Sequence, residues 1–337
     1  MRRRDDFIPI AFRTSNEILS IALFVFLVIN FVSTARADVV WDPASVILQR
    51  QQVGHGVYAL IPQGATEANK KGYPVATSGG FIVGDNSVLV VESMINKALA
   101  HQVMDLVKEV TKKPIRYVVN TSYHGDHSYG NYAFSPDVMI IHHPKTKAYI
   151  GNPENLKADK AFMIKNFGAK IGIEEVVGRT ADILVDDRVS IDLGKKEVQM
   201  MHLGFAQTPG DLFVWVPDDK VFWTGNPLVA APPALPWLLE GGHRESLATM
   251  KKVRAFLPSD ATVVPGHGRL MQPEEIDFTI RYLETLDNKV QTALANGLSL
   301  EQTQQSLSMP TFKGYALWDW VHTGVNIPAV YQALSAQ

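Results

Sequence analysis

From residue 53 to residue 91, apolar positions either alternate with polar ones or cluster in short runs, a pattern that predicts β-strands. Within this region, residues 81–91 hold two apolar runs joined by Gly-Asp-Asn-Ser, which predicts a β-hairpin. Apolar residues then recur at helical spacing, which predicts an amphipathic helix over 97–111 that ends before Pro114. Residues 115–119 are the next predicted strand.

The second half of the chain repeats this succession of strands and helices. The predicted strands are 197–201, 212–216, 221–223 and 262–264, and the predicted helix is 246–257. Two halves of this kind indicate helices packed on the outer faces of two stacked sheets, which is an α/β fold. No second domain and no internal repeat is evident, so we expect one domain over residues 38–272.

The last part of the chain has a helical pattern. An apolar stripe over 276–290 predicts a helix, and Gly297 is a typical residue to end it. Ser299 and Gln302 have the spacing of a capping box that begins another helix. We therefore expect residues 273–337 to be a C-terminal helical extension packed on the same domain.

The N-terminus has the composition of a signal peptide rather than of a folded segment. Arginines at the start precede an almost wholly apolar run, Ile18 to Val32, and then the small-residue site Ala35-Arg36-Ala37. The run is shorter than the roughly 20 residues of a membrane-spanning helix, although an uncleaved anchor is the alternative. The sequence predicts cleavage of residues 1–37, a periplasmic or secreted mature protein and no stable membrane span afterwards.

Charge and cysteine content restrict the function further. Removal of the predicted signal peptide would take away five basic and three acidic residues and change the net charge from −2 to −4. This balance provides no basic surface for nucleic acid, so the expected partner is a small-molecule substrate; the oligomeric state is left open. The chain has no cysteine, which excludes disulfides and thiolate ligands.

Histidine and aspartate are concentrated in the segment that follows the strand 115–119. Residues 120–131 read Asn-Thr-Ser-Tyr-His-Gly-Asp-His-Ser-Tyr-Gly-Asn. Imidazole and carboxylate groups on one strand-end loop suit a borderline divalent ion such as zinc. The same residues could also serve only to satisfy the hydrogen bonds of a turn, and the loop alone does not decide between the two.

Further motifs in a fixed order make the pattern specific. The loop 122–127 is followed by Gly-Phe-Ala-Gln-Thr-Pro-Gly-Asp at 204–211, by Thr-Gly-Asn at 224–226 and by Pro-Gly-His-Gly at 265–268. Together these motifs resemble the metallo-β-lactamase superfamily over residues 50–270. The resemblance implies an αβ/βα four-layer sandwich and a site for metal ions between the loops.

The resemblance also implies that one of the two usual metal sites is incomplete. The first metal of the superfamily is held by three histidines, and the corresponding positions here are Ser122, His124 and Gln207. The carboxylate that normally bridges the two metals is replaced by Asn226. Neutral serine and amide oxygens are poor substitutes for imidazole, so Ser122, Gln207 and Asn226 are degenerate ligand positions or substrate-binding residues.

The second metal site of the superfamily is complete in this sequence. Its ligands correspond to Asp126, His127 and His267, which implies one divalent metal, zinc by its ligand types. Three protein ligands and an open position are the arrangement of a catalytic rather than a structural zinc. The resemblance implies that Asp126 also orients the attacking water and that His124, released from ligation, acts as a base.

We therefore expect a metal-dependent hydrolase that acts on an ester, lactone, amide or thioester carbonyl. The main alternative is a catalytically degenerate member of the superfamily that binds a small molecule, and the changes at Ser122, Gln207 and Asn226 favour it. A redox or sulfur-handling member is a third alternative, although no additional ligands for such chemistry are evident.

Two other features are ambiguous in the sequence. The apolar segment 232–239, soon after Asn226, is either packing within a loop or an apolar wall beside the metal. His243 follows this segment and could border the same cleft.

Overall fold

A computed structural model of the chain provides the fold. It describes residues 46–65, 76–167, 172–229, 235–314 and 318–336. The predicted signal peptide and its cleavage site lie outside these ranges, so both stay predictions. None of the helices in the described ranges is long and apolar enough to cross a membrane.

The first sheet has seven strands in sequential order. They are β1 (Leu48–Gly54), β2 (Val57–Pro62), β3 (Gly79–Val83), β4 (Val88–Val91), β5 (Ile115–Val119), β6 (Met139–His142) and β7 (Ile183–Leu184). Strands β1 to β4 pair antiparallel, and β3 with β4 is the predicted hairpin. Strands β4 to β7 pair parallel, so that their carboxyl ends lie along one edge of the sheet.

The second sheet has five strands in the order β12-β11-β10-β9-β8. They are β8 (Arg188–Asp192), β9 (Glu197–Met201), β10 (Phe213–Val216), β11 (Val221–Val229) and β12 (Thr262–His267). Strands β11 and β12 are parallel and both extend beyond the predicted ranges. This extension matters for the site because it places Asn226 and His267 within paired strands rather than in loops.

Each helix predicted from the sequence is present with small shifts of its ends, and the structure adds helices that were not predicted. They are α1 (Lys97–Val110), α2 (Gly125–Ser128), α3 (Pro144–Ile150), α4 (Pro153–Phe167), α5 (His243–Phe256), α6 (Ile276–Ala295), α7 (Leu300–Ser306) and α8 (Ile327–Ser335). A π-helix, Asp319–Asn326, precedes α8. Short 3₁₀ helices occupy Tyr129–Ala133, Pro217–Asp219 and Pro273–Glu275.

Alternating side chains of the strands divide the core into layers. Val91 and Val214 point into an apolar layer between the two sheets. Their neighbours Val90 and Phe213 point outward, Val90 towards α1 and Phe213 towards α5. This is the αβ/βα sandwich that the sequence predicts, since each sheet buries one face against the other sheet and one against helices.

The C-terminal helices are present as predicted. Gly297, with φ of +70°, follows α6, and both hydrogen bonds of the Ser299–Gln302 capping box form at the start of α7. Helices α6 and α8 pack around a separate apolar cluster that includes Leu283 and Val330. The predicted domain boundaries at residues 37 and 272 stay predictions.

Candidate metal centre

The loop after β5 is held to the sheet by buried amide groups. Asn120 Nδ2 donates to the His127 carbonyl at 2.8 Å, and the Ser93 amide donates to the same carbonyl at 3.0 Å. Asn131 Nδ2 in turn donates to Asn120 Oδ1 at 2.7 Å, and His142 Nε2 lies at the same distance from that oxygen. These contacts fix the backbone from which Asp126 and His127 project, at the carboxyl edge of the parallel strands.

Asp126, His127 and His267 bring one ligand atom each into a single cluster, in which all three atoms lie within 4.8 Å of one another. Asp126 Oδ2 is 3.0 Å from His267 Nε2 and 3.4 Å from His127 Nε2. His127 is fully buried, and neither of its ring nitrogens forms a hydrogen bond with good geometry. Two imidazole nitrogens and one carboxylate oxygen at this spacing fit a divalent cation such as zinc.

The remaining nitrogen of each imidazole lies close to an oxygen atom. His267 Nδ1 is 3.1 Å from the Ala76 carbonyl oxygen, and His127 Nδ1 is 3.0 Å from Glu92 Oε1. An acceptor at Nδ1 keeps the proton on that nitrogen and leaves Nε2 unprotonated for a metal. The tautomers expected of two zinc-binding histidines are therefore favoured by their surroundings.

Glu92 is a site residue that the sequence analysis missed. It is almost fully buried at the end of β4, and its φ of +69° lies in the left-handed region that non-glycine residues rarely adopt. Its carboxylate also accepts hydrogen bonds from the Thr121 amide, at 3.2 Å, and from the Thr121 hydroxyl. The only signal in the sequence is a single charged residue in the apolar run 88–95.

The electrostatics of the cluster favour a positive charge. Burial lowers the pKa of His127, but the carboxylates of Asp126 and Glu92 outweigh it and raise that pKa to about 9. Burial raises the pKa of Asp126, but the charges of His127 and His267 lower it well below its usual range. A buried position that stabilises positive charge beside two carboxylates is suited to a cation.

His124 lies beside this cluster but is not part of it. Its Nδ1 is 3.0 Å from Asn226 Nδ2, and its backbone amide donates to the Ser122 hydroxyl at 3.2 Å. Burial lowers the pKa of His124 to about 4, against the opposing effect of the Asp126 carboxylate. The structure thus brings His124, Ser122 and Asn226 together next to the three clustered ligands.

Gln207 is held in place by the motif that surrounds it. The buried Asp211 carboxylate accepts hydrogen bonds from the backbone amides of Ala206, Gln207 and Thr208, at 3.3, 2.6 and 2.8 Å. The Gln207 side chain donates through Nε2 to the Trp237 carbonyl at 3.3 Å, while its buried Oε1 has no hydrogen-bond partner. Gln207 therefore contacts the apolar segment rather than any of the three clustered ligands.

Gly225 allows β11 to approach the loop after β5. Its φ is +62°, and a Cβ atom at this position would lie 2.1 Å from Thr121 Oγ1. Because no larger residue fits, the glycine of the Thr-Gly-Asn motif sets the distance between the strand that carries Asn226 and the loop that carries His124.

The structure shows the contacts of the two features that were ambiguous in the sequence, His243 and the apolar segment 232–239. His243 is buried and its Nε2 lies 2.6 Å from Asp287 Oδ1 on α6, so it joins two helices. Residues 232–234 lie outside the described ranges. Of the remaining apolar segment, Leu235 and Leu238 are buried in the C-terminal cluster, and the half-buried Trp237 packs against the same cluster.

Solved structures with a similar fold include two metallo-β-lactamases and an alkylsulfatase. The metallo-beta-lactamase from Pontibacter korlensis and TMB-1 each align with 15% identity over 71% of this chain, at a TM-score of 0.52. The alignments cover 99% and 97% of those chains. The sec-alkylsulfatase Pisa1 from Pseudomonas sp. aligns with 13% identity over 85% of this chain and 50% of its own length, at a TM-score of 0.65.

At such low identities these similarities concern the fold alone, but a family model provides direct evidence from the sequence. The model of the metallo-beta-lactamase superfamily matches residues 72–267, which is more than half of the chain. The matched range begins before Glu92 and ends at His267, so it includes all three clustered ligands. The chain therefore belongs to the metallo-beta-lactamase superfamily.

Proposed function

We propose that the protein is an exported hydrolase that uses one divalent metal ion, zinc by its ligand types, against an ester, lactone, amide or thioester carbonyl. The observation that carries this proposal is the convergence of Asp126, His127 and His267 within 4.8 Å. The contacts of both histidines through Nδ1, to Glu92 and to the Ala76 carbonyl, support it. The Asp126 side chain is 18% exposed, so one of the three clustered residues can be reached from solvent.

The chemistry divides between the cation and the side chains around it. A divalent cation supplies positive charge that polarises a carbonyl and lowers the pKa of water from 15.7 toward about 7. Asp126 would hold the cation through a carboxylate oxygen, and its other oxygen could orient water. His124 lies next to Asp126 outside the ligand cluster, where its imidazole can take a proton from water and return it to the leaving group.

Asn226 determines which nitrogen of His124 is available for this proton transfer. An amide can present either its oxygen or its nitrogen to Nδ1, since the two differ by a rotation of the group. The amide oxygen facing an Nδ1–H would leave Nε2 unprotonated as the base. We infer that Asn226 presents its oxygen to His124 in the active enzyme.

Metal analysis of the purified protein tests the first part of the proposal. We expect about one equivalent of tightly bound metal, and we expect His267→Ala to lose it because two ligands hold zinc poorly. Ser122→Ala is the matched control, since Ser122 lies outside the ligand cluster, and it should retain the metal. Two equivalents in the wild type, or no metal at all, would contradict a single-metal site.

The role of His124 is tested by the combination of metal content and turnover. His124→Ala should keep its metal and lose about 10²–10⁴-fold in rate, as expected for removal of a general base. Loss of metal together with activity would instead identify His124 as a ligand. The assay needs a panel of esters, lactones, thioesters and β-lactams, to which the similarity with Pisa1 adds a secondary alkyl sulfate.

A degenerate binding protein is the second candidate, and the neutral side chains of Ser122, Gln207 and Asn226 favour it. It predicts a wild type that hydrolyses none of the panel. The complete set of three ligands argues against it, because a site that has lost its use would not be expected to keep all of them. Metal content and hydrolysis measured on the same preparation discriminate between the two candidates.

Export is proposed from the N-terminal sequence alone. The arginine-rich start, the apolar run and Ala35-Arg36-Ala37 together support cleavage after Ala37 and a periplasmic or secreted location. N-terminal sequencing of the protein recovered outside the cytoplasm tests it. A chain that begins at Met1 and stays with the membrane would refute the proposal.

A further inference from the structure

The segment 235–240 connects the two loops of the candidate metal centre. The Trp237 carbonyl accepts the hydrogen bond from Gln207 Nε2 at 3.3 Å. At the other end of the segment, Glu240 lies near Tyr123, the residue next to His124: burial, and then the negative charge of Glu240, raise the pKa of the Tyr123 hydroxyl. A displacement of this segment would therefore change the surroundings of both Gln207 and Tyr123.

Asn326, in the π-helix before α8, binds the backbone of this segment with both ends of its side chain. Its Oδ1 accepts a hydrogen bond from the Leu238 amide at 2.9 Å, and its Nδ2 donates to the Pro236 carbonyl at 2.7 Å. Asn326 is fully buried and lies about 90 residues from its partners in the sequence. Few side chains can satisfy a donor and an acceptor two residues apart in this way, and an amide is one of them.

A chain of buried hydrogen bonds holds Asn326 in this orientation. Nδ2 also donates to the Tyr282 hydroxyl at 3.0 Å, and that hydroxyl lies 2.8 Å from His322 Nδ1. His322 Nε2 is in turn 2.8 Å from the Leu307 carbonyl oxygen. One assignment of protons satisfies the whole chain: Asn326 donates to Tyr282, Tyr282 to His322 and His322 to Leu307. Buried networks that are fully satisfied are rigid, and π-helices are frequent at functional positions.

Apolar contacts hold the same segment against the C-terminal helices. Leu235 and Leu238 are buried in one cluster with Leu283 of α6. Between them, the half-buried Trp237 packs edge-to-face on Trp320 of the π-helix, with ring centroids 5.1 Å apart. The backbone of the segment is thus fixed by Asn326, while its apolar side chains pack on the C-terminal helices, Leu235 and Leu238 fully buried and Trp237 half-buried.

We propose that Asn326 is a positioning residue and that, through it, the C-terminal helices set the shape of the substrate cleft beside the metal centre. We assign an apolar group of the substrate to this part of the cleft, because the partly exposed surface that the segment offers is Trp237, packed edge-to-face on the half-buried Trp320. The inference rests on the proposed function in that it assigns the cleft to a substrate. The positioning itself does not depend on which reaction occurs.

Hydrogen exchange tests the positioning without any assay of activity. In Asn326→Ala the Leu238 amide loses its acceptor, and its exchange should become about tenfold faster or more, as expected for loss of one hydrogen bond. Metal content should stay at the wild-type value. Val330→Ala is the matched control: Val330 is buried in the same cluster but its alkyl side chain forms no hydrogen bond to Pro236 or Leu238, so it should lower thermal stability without specific exposure of the Leu238 amide.

Kinetics test the assignment of the cleft, with 4-nitrophenyl acetate and 4-nitrophenyl octanoate as probes. In Asn326→Ala we expect KM for the octanoate to rise about tenfold more than KM for the acetate, with kcat at full metal content little changed. Asn326→Asp keeps the acceptor for the Leu238 amide and should recover part of the loss. If the wild type hydrolyses neither ester, binding of octanoate followed by tryptophan fluorescence replaces KM in the same comparison.

Three results would overturn the inference. The first is unchanged exchange at the Leu238 amide in Asn326→Ala. The second is an equal rise in KM for both esters, or equal weakening by Val330→Ala, which would show a general loss of stability. The third is loss of metal in Asn326→Ala. A wild type that hydrolyses nothing but binds octanoate, more weakly in Asn326→Ala, would refute the proposed hydrolysis. It would leave the assignment of this part of the cleft to an apolar group intact.

Discussion

Replacement of Glu92 by glutamine removes the negative charge behind His127 and changes little else in size. In the wild type, Oε1 faces His127 Nδ1 at 3.0 Å and also accepts from the Thr121 hydroxyl, while Oε2 accepts from the Thr121 amide. Glutamine has only one oxygen for these three donors. Its amide nitrogen, itself a donor, must therefore face at least one of these three donors in a buried position.

The expected loss is one of metal affinity, because an amide replaces a carboxylate behind a candidate metal-binding histidine. Loss of such an outer partner typically weakens metal binding about 10–100-fold, which corresponds to roughly 1.4–2.8 kcal/mol. The unmatched donor at Thr121 adds about 1–3 kcal/mol to the cost of folding, whether or not metal is present. We therefore expect Glu92→Gln to bind metal about 10–100-fold more weakly and to be less stable without metal as well.

Competition with a chelator of known affinity measures the first effect, and unfolding of the metal-free protein measures the second. Glu109→Gln, the same substitution at a side chain that is 61% exposed on α1, is the matched control and should change neither quantity. Thr121→Val removes one donor to the carboxylate but leaves the charge, so it should affect stability more than metal affinity. Wild-type metal affinity in a folded Glu92→Gln protein would refute the argument that Glu92 supports His127.

Two further predictions concern the degenerate positions and the helix contacts. The triple variant Ser122→His, Gln207→His and Asn226→Asp should raise metal stoichiometry from one toward two, because it restores the ligand types of the first site; stoichiometry that stays at one would show that the cavity has lost the family geometry. Burial raises the pKa of Asp287, but hydrogen bonds from His243 and a neighbouring arginine outweigh it and lower the pKa overall. The resulting stabilisation is present above about pH 3.9, the unfolded value, and disappears as pH falls through the lower folded pKa. Asp287→Asn should thus lose about 1–3 kcal/mol of unfolding free energy at pH 7, and the difference from wild type should vanish in acid.

The sequence was sufficient for the parts of this protein that depend on local patterns. The period-two and helical spacings predicted the β3–β4 hairpin, α1 and the capping box of α7, because each follows from neighbouring residues. The order of the four motifs predicted the sandwich and the ligand set Asp126, His127 and His267, which the structure brings together. Motifs of this kind are informative because the ligand residues must stand at strand ends that the fold fixes.

Only the tertiary structure revealed what surrounds those ligands. Glu92 meets His127 across 35 positions of the chain and Asn326 meets Leu238 across 88, and neither spacing leaves a periodic trace. The sequence also could not assign His243, which is bound to Asp287 of α6 at a distance of 44 positions. A buried polar group must find a partner somewhere, but which partner it finds depends on how the sheets and helices pack. The sequence thus predicted the candidate ligands and the fold that carries them, whereas tertiary packing decided that the Glu92 carboxylate lies against His127 and that Asn326 binds the segment 235–240.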